Sequence, residues 1–324
     1  MDSLFEGCTK LTSLNLSNFS TNEVLSFGRM FSECSSLISL NLLSFNTSKA
    51  TSMYGMFSDC ISLKFLDLSS FNVNKVDDMG LLFNNCRSLT SLNLLNFVGK
   101  NVKRADSMFK DCHNLISIDM SNFEPNLINI DNMFYNCYSL RYLKIPKIST
   151  DNVSYFMRIF ENCYSLTSLD LKMFNTQNAR SLDKMFRNCF SLTSLNLSNF
   201  ITNKVITMSS LFEGCLKIKY LDLSKFITDN VLDMSNMFNN CSSLEFLKIN
   251  FDTSKTLKMQ NMFRYCTDLH NLNISSFNTL YCRNFTNMFE NDIGLNVYMN
   301  FNKCQNLKEQ IPDYVNLYDI SDNS

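Results

Sequence analysis

The chain has 324 residues, 45% of them hydrophobic, which excludes wholesale disorder and allows a large core. Lys and Arg number 29 against 30 Asp and Glu, a net charge of −1 that gives no global pull toward nucleic acid or an anionic membrane. No apolar stretch has the roughly 18 residues of a spanning helix, and the start "MDSLFEGCTK" lacks the basic-then-apolar order of a signal peptide.

Cysteine provides the ruler for the elements. Cys8, Cys34, Cys60, Cys86, Cys112, Cys137, Cys163, Cys189, Cys215, Cys241 and Cys266 are 26 residues apart, twice 25. Phe stands three residues before each of them, as Phe31 and Phe57 do. Within a unit, the first element is the leucine string, "LISLNL" from Leu37 to Leu42. Its alternation puts Leu40 and Leu42 on one side and Ser39 and Asn41 on the other, the pattern of a short half-buried strand. A second Phe column follows, as at Phe45 and Phe71, with Ile148 the exception. Next comes a recurring Thr, among them Thr21, Thr47, Thr176 and Thr202. The segment after it, "KATSMYGMFSDC" from Lys49 to Cys60, spaces Met53, Met56, Phe57 and Cys60 by three and four. That spacing predicts a short helix with one apolar stripe, and the Thr hydroxyl is placed to cap it. Each unit therefore reads strand, turn, capped short helix, turn.

One such unit cannot bury its own apolar side, so the units must stack and share a core. The expected fold is α/β, a leucine-rich-repeat-type solenoid with a parallel β-sheet on one face and short helices on the other. Residues 1–289 hold about eleven units of 25 or 26 residues. Residues 290–324 read as a degenerate repeat, a C-terminal cap and a tail whose last letters, "DISDNS", are expected to fray. The N-terminal edge shows no comparable cover, which predicts weak order there or end-to-end association with another chain.

The columns "MFxxCxSLxSLxLSxFxT", repeated with this period, resemble the BspA-like leucine-rich-repeat surface proteins of bacteria, mycoplasmas and some protists. The resemblance implies a solenoid displayed at the cell surface or secreted, used for adhesion to a host or matrix protein. A cytoplasmic scaffold that binds a cellular protein through the same repeat face is the alternative, since this chain shows no signal peptide.

The cysteine ladder has three readings. A metal site wants close pairs such as Cys-x-x-Cys, and none occurs. A disulfide framework needs cysteines that point at one another, whereas stacked units point them in parallel. The remaining reading is structural, a column of small buried thiols. His113 and His270 lie in different units at different repeat positions, and the seven glycines make no phosphate loop. No catalytic residue, cofactor or metal is therefore expected, and the chain reads as a non-enzymatic binding protein without nucleic acid as a partner.

Binding is expected on the outward positions of the strands, the concave face, five and seven residues after each cysteine. Most of these are Ser, Asn or Asp. The candidates that stand out are Phe65, Tyr142, Tyr220 and Phe246 in the first column and Asp67, Lys144, Asp222 and Lys248 in the second. Aromatic anchors dominate protein interfaces, and the charges beside them set orientation. Outward Leu43 and Leu95 add apolar surface in the third column.

Overall fold

Alternation along most of the leucine strings makes the strands. The computed structural model describes residues 1–321, so the end of the "DISDNS" tail, 322–324, lies outside the described residues. The chain forms two compact units, one of Met1–Val153 with Arg158–Phe174 and one of Ser154–Met157 with the chain from Asn175 onward.

The first unit carries β1 (Ser39–Leu40), β2 (Phe65–Leu66), β3 (Ser91–Asn93), β4 (Ser117–Asp119) and β5 (Tyr142–Lys144). β1 pairs with β2, β3 with β4, and β4 with β5, all in parallel. Register is strict. Ser39 faces Phe65, and Ser117 faces Tyr142, because a slip of one residue would turn every buried Leu outward. The second unit carries β6 (Tyr220–Asp222), β7 (Phe246–Lys248), β8 (Asn271–Asn273), β9 (Asn296–Met299), α1 (Gln305–Lys308) and β10 (Asn316–Asp319). β6 pairs with β7, and β8, β9 and β10 form a parallel sheet in that order. The strand pattern thus continues past residue 289.

The short helices expected opposite the sheet are not there. Among the described residues the one helix is α1, four residues long. Between Met53 and Cys60 the main-chain N–H groups alternate between two kinds of partner. Met53, Gly55, Phe57 and Asp59 donate to Asp78, Gly80, Leu82 and Asn84 of the next coil, at 2.8 to 3.0 Å. Met56, Ser58 and Cys60 donate three residues back, to Met53, Gly55 and Phe57. A helix would send every N–H four residues back within the segment. Gly55 and Asp59 also take positive φ, 58° and 61°, which breaks a right-handed helix at two places. Asn takes the Asp59 position at Asn85, Asn136, Asn162, Asn188 and Asn240, consistent with its tolerance of left-handed backbone. A second parallel ladder of single bridges runs through these segments, Ser26 to Ser52 to Asp78 to Arg104 to Asn129 in the first unit. The apolar stripe is real, but a chain of stacked turns carries it.

The Thr column accordingly caps no helix. Thr47 Oγ1 accepts the Asn72 N–H at 2.8 Å and donates to the Asn72 carbonyl at 2.9 Å, so one hydroxyl satisfies both main-chain groups of a residue in the next coil. Thr202 treats Ile227 in the same way. This answers for backbone groups that a buried loop must pair.

The core is built of columns. Phe31, Phe57, Phe83, Phe109, Phe134 and Phe160 stack ring on ring, with centroids 5.5 to 5.8 Å apart, in the offset arrangement that aromatic pairs prefer. Phe186, Phe212, Phe238, Phe263 and Phe289 do so in the second unit. The ladder cysteines from Cys34 to Cys266 are fully buried, whereas Cys8 is exposed. Their thiols also bond to main chain: Cys60, Cys86 and Cys112 each donate to the carbonyl of the Phe one coil back, at 3.1 Å. Among the described residues no helix is long and apolar enough to cross a membrane.

Candidate functional site

The outward strand positions are held by turns that close each strand. Asp67 Oδ1 accepts the Ser69 N–H at 2.9 Å, and Asn41 accepts that of Leu43 at 3.1 Å. Asp119, Asn196, Asp222 and Asn273 do the same two residues ahead. The amide and carboxylate column is therefore part of the fold: a short polar side chain ends the strand by taking the next free N–H. Repetition of Asn and Asp in the sequence was the available signal for this role. These bonds hold the Asp67 carboxyl below its ordinary range, mainly through the Ser69 N–H. Asp222 is lowered first by the Ser224 hydroxyl and then by its N–H.

Lys144 and Lys248 break that column, and each turns back to the carboxylate of the preceding strand. Lys144 Nζ lies 3.1 Å from Asp119 Oδ2, and Lys248 Nζ lies 3.6 Å from Asp222 Oδ2. Asp119 is held low chiefly by the Ser121 hydroxyl and next by Lys144. These are exposed pairs that orient more than they stabilise.

The four aromatic candidates all point out. Phe65 is 67% exposed and Tyr142 66%, each beside a Ser of the neighbouring strand. Tyr220 and Phe246 differ, because they are partners across β6 and β7. Their rings stack at 5.1 Å with 4° between the planes. Beside them Lys219 and Glu245 pair at 2.7 Å, two residues that the strand alternation alone did not single out. Tyr220 and Asp222 also wall a cleft of about 400 Å³, with Asn196, Ser198 and Lys225 on its other sides. Leu43 and Leu95 are exposed in the first unit, as are Ile38 and Ile116.

The arrangement offers flat aromatic surface, hydroxyls, amides and paired charges. Among the described residues no three His, Cys, Asp or Glu side chains are grouped to hold a metal ion. His113 stacks on Tyr138 at 4.5 Å, and burial holds its imidazole below the ordinary value. The buried thiols are pushed up by desolvation, Cys34 to about 11, which keeps them protonated and unreactive.

Some solved structures are faintly similar. A leucine-rich-repeat protein of Leptospira interrogans shares 13% identity at a TM-score of 0.30, over 95% of this chain and 81% of that one. The TLR13–ssRNA13 complex gives 15% and 0.29, over 91% of this chain and 52% of that one. The Toll–Spatzle complex of Drosophila gives 17% and 0.30, over 83% and 45%. The chain thus spans about half the length of those last two proteins. No curated protein matches it. One family does, over residues 1–123, 116–221 and 206–314, which together run almost the whole length, and the chain therefore belongs to the family described as "Mycoplasma protein of unknown function, DUF285".

Proposed function

We propose that the protein is a non-enzymatic binding protein that offers the exposed face of its strand ladder to a polypeptide partner. One observation carries this reading: Phe65, Tyr142, Tyr220 and Phe246 lie on the strands with half to two thirds of their surface in solvent, in a molecule that buries most of its other Phe. Solvent-facing rings cost folding little if removed, and they are the side chains that dominate protein interfaces. The resemblance of the repeat columns to BspA-like surface proteins supports adhesion to a host or matrix protein as the use of this face.

An intracellular scaffold is the second reading. The thiol ladder favours it, because buried rungs such as Cys60 and Cys86 donate their S–H to a carbonyl and so need the reduced form that a reducing compartment maintains. Protease shaving of intact cells separates the two. Loss of the chain places the face outside, and survival until lysis places it inside. The binding face itself is tested with Tyr142→Ser combined with Tyr220→Ser against a panel of immobilised host matrix proteins. Retained folding with lost binding supports the face, and unchanged binding rejects it.

A further inference from the structure

The outward face has a longer period than one coil. At the two positions four and five residues after the cysteine, the sequence runs Thr12–Ser13, Ile38–Ser39 and then Lys64–Phe65. The next three coils repeat the order, Thr and Ser, Ile and Ser, then Arg141–Tyr142. The following three repeat it again with Thr and Ser twice, then Lys219–Tyr220. A basic–aromatic pair thus recurs on every third coil, its rings 77 and 78 residues apart. The first two pairs are built alike. Lys64 donates its N–H to the Ile38 carbonyl at 3.0 Å, and Arg141 donates its own to Ile116 at 2.9 Å. Both cations are exposed and, among the described residues, have no ion pair, and both rings stand beside serines.

The third pair is different because its neighbour fills it. Glu245–Phe246 lies directly across from Lys219–Tyr220, its carboxylate 2.7 Å from the Lys219 Nζ and its ring stacked on Tyr220 at 5.1 Å. The molecule therefore contains the complement of its own motif, an acidic–aromatic dipeptide.

We infer that the two open pairs in the first unit, Lys64–Phe65 and Arg141–Tyr142, dock a partner polypeptide through acidic–aromatic dipeptides in the way that Glu245–Phe246 fills the third. The inference rests on the strand face being the binding face. Three coil steps at about 4.8 Å set the open pairs about 14 Å apart, and an extended chain covers that in about four residues. A uniform polyanion suits this face poorly, since Asp67 and Asp119 stand among the cations. A polypeptide supplies both the carboxylate and the ring.

The test is calorimetry on the whole chain with the peptide Glu-Phe-Ser-Ser-Glu-Phe. The expected result is binding at least tenfold tighter than that of Lys-Phe-Ser-Ser-Lys-Phe, with tenfold or greater loss in Phe65→Ser and in Tyr142→Ser. Reversing charge with Lys64→Glu and Arg141→Glu together should invert the preference between the two peptides. No binding at millimolar peptide, an unchanged preference after the reversal, or tighter binding of oligo-dT lost in the same variants would overturn the inference. If the matrix panel still loses binding in the aromatic variants while the peptide never binds, the face stands and this ligand chemistry falls. If the aromatic variants change neither, the face itself is wrong.

Discussion

Asp292 stands at the cysteine position of its coil, three residues after Phe289, and its Oδ1 accepts the Cys266 N–H at 2.7 Å. It is 1% exposed, and its Oδ2 has no hydrogen-bond partner. Burial pushes this carboxyl up from 3.8 to about 7, against the pull of the Cys266 N–H. Because the folded value is the higher one, the folded chain keeps a proton that the unfolded chain gives up near pH 4. Stability from this group is full below that pH, falls as pH rises to about 7 and is level above. The loss is on the order of 4 kcal/mol. Asp292→Cys restores a thiol rung and should flatten the profile. Urea midpoints measured from pH 4 to 8 check this, and identical profiles for the two chains would refute it.

Thr47 tests the bridging hydroxyl. Thr47→Val keeps the shape but leaves both main-chain groups of Asn72 without their partner, so a destabilisation of about 2–3 kcal/mol is expected. Thr47→Ser keeps the hydroxyl and should cost less than about half of that. Thermal unfolding of the two variants separates a bridge from mere space filling, under which Thr47→Val, which keeps the volume, would be milder than Thr47→Ser, which loses a methyl.

Exposure divides the thiols. A disulfide reagent such as Ellman's should titrate Cys8 rapidly in the native protein, while the twelve buried cysteines react only on unfolding. Several fast thiols in the folded chain would show that the ladder opens.

Two aromatic substitutions should differ sharply. Phe83→Ala removes a fully buried ring from between Phe57 and Phe109, which costs about 3–5 kcal/mol. Tyr220→Ser removes a ring that is 55% exposed and should cost about 1 kcal/mol. Chemical denaturation compares them, and equal losses would mean that the strand-face rings are structural.

Much of the architecture is legible in the sequence. Phe57, Cys60, Leu63 and Leu66 recur with their column, and a side chain that must be apolar in every coil is one that the stack buries. The strands at Phe65 and Tyr142 follow from alternation, since only a period of two puts one face in the core and the other in water. The aromatic candidates on that face were visible for the same reason. What lay between Lys49 and Cys60 was not. Steps of three and four suit a helix, and they suit equally a string of turns in which every other N–H leaves the segment. Which of the two forms depends on whether carbonyls such as Asp78 and Leu82 lie within reach, and those belong to the next coil. The Thr47 bridge, the Lys219–Glu245 pair and the unpaired Oδ2 of Asp292 were hidden likewise. Composition and period determined which side chains are inside, because burial depends on the repeat. Tertiary structure decided where the hydrogen bonds go, because a donor pairs with whatever acceptor the neighbouring coil brings to it.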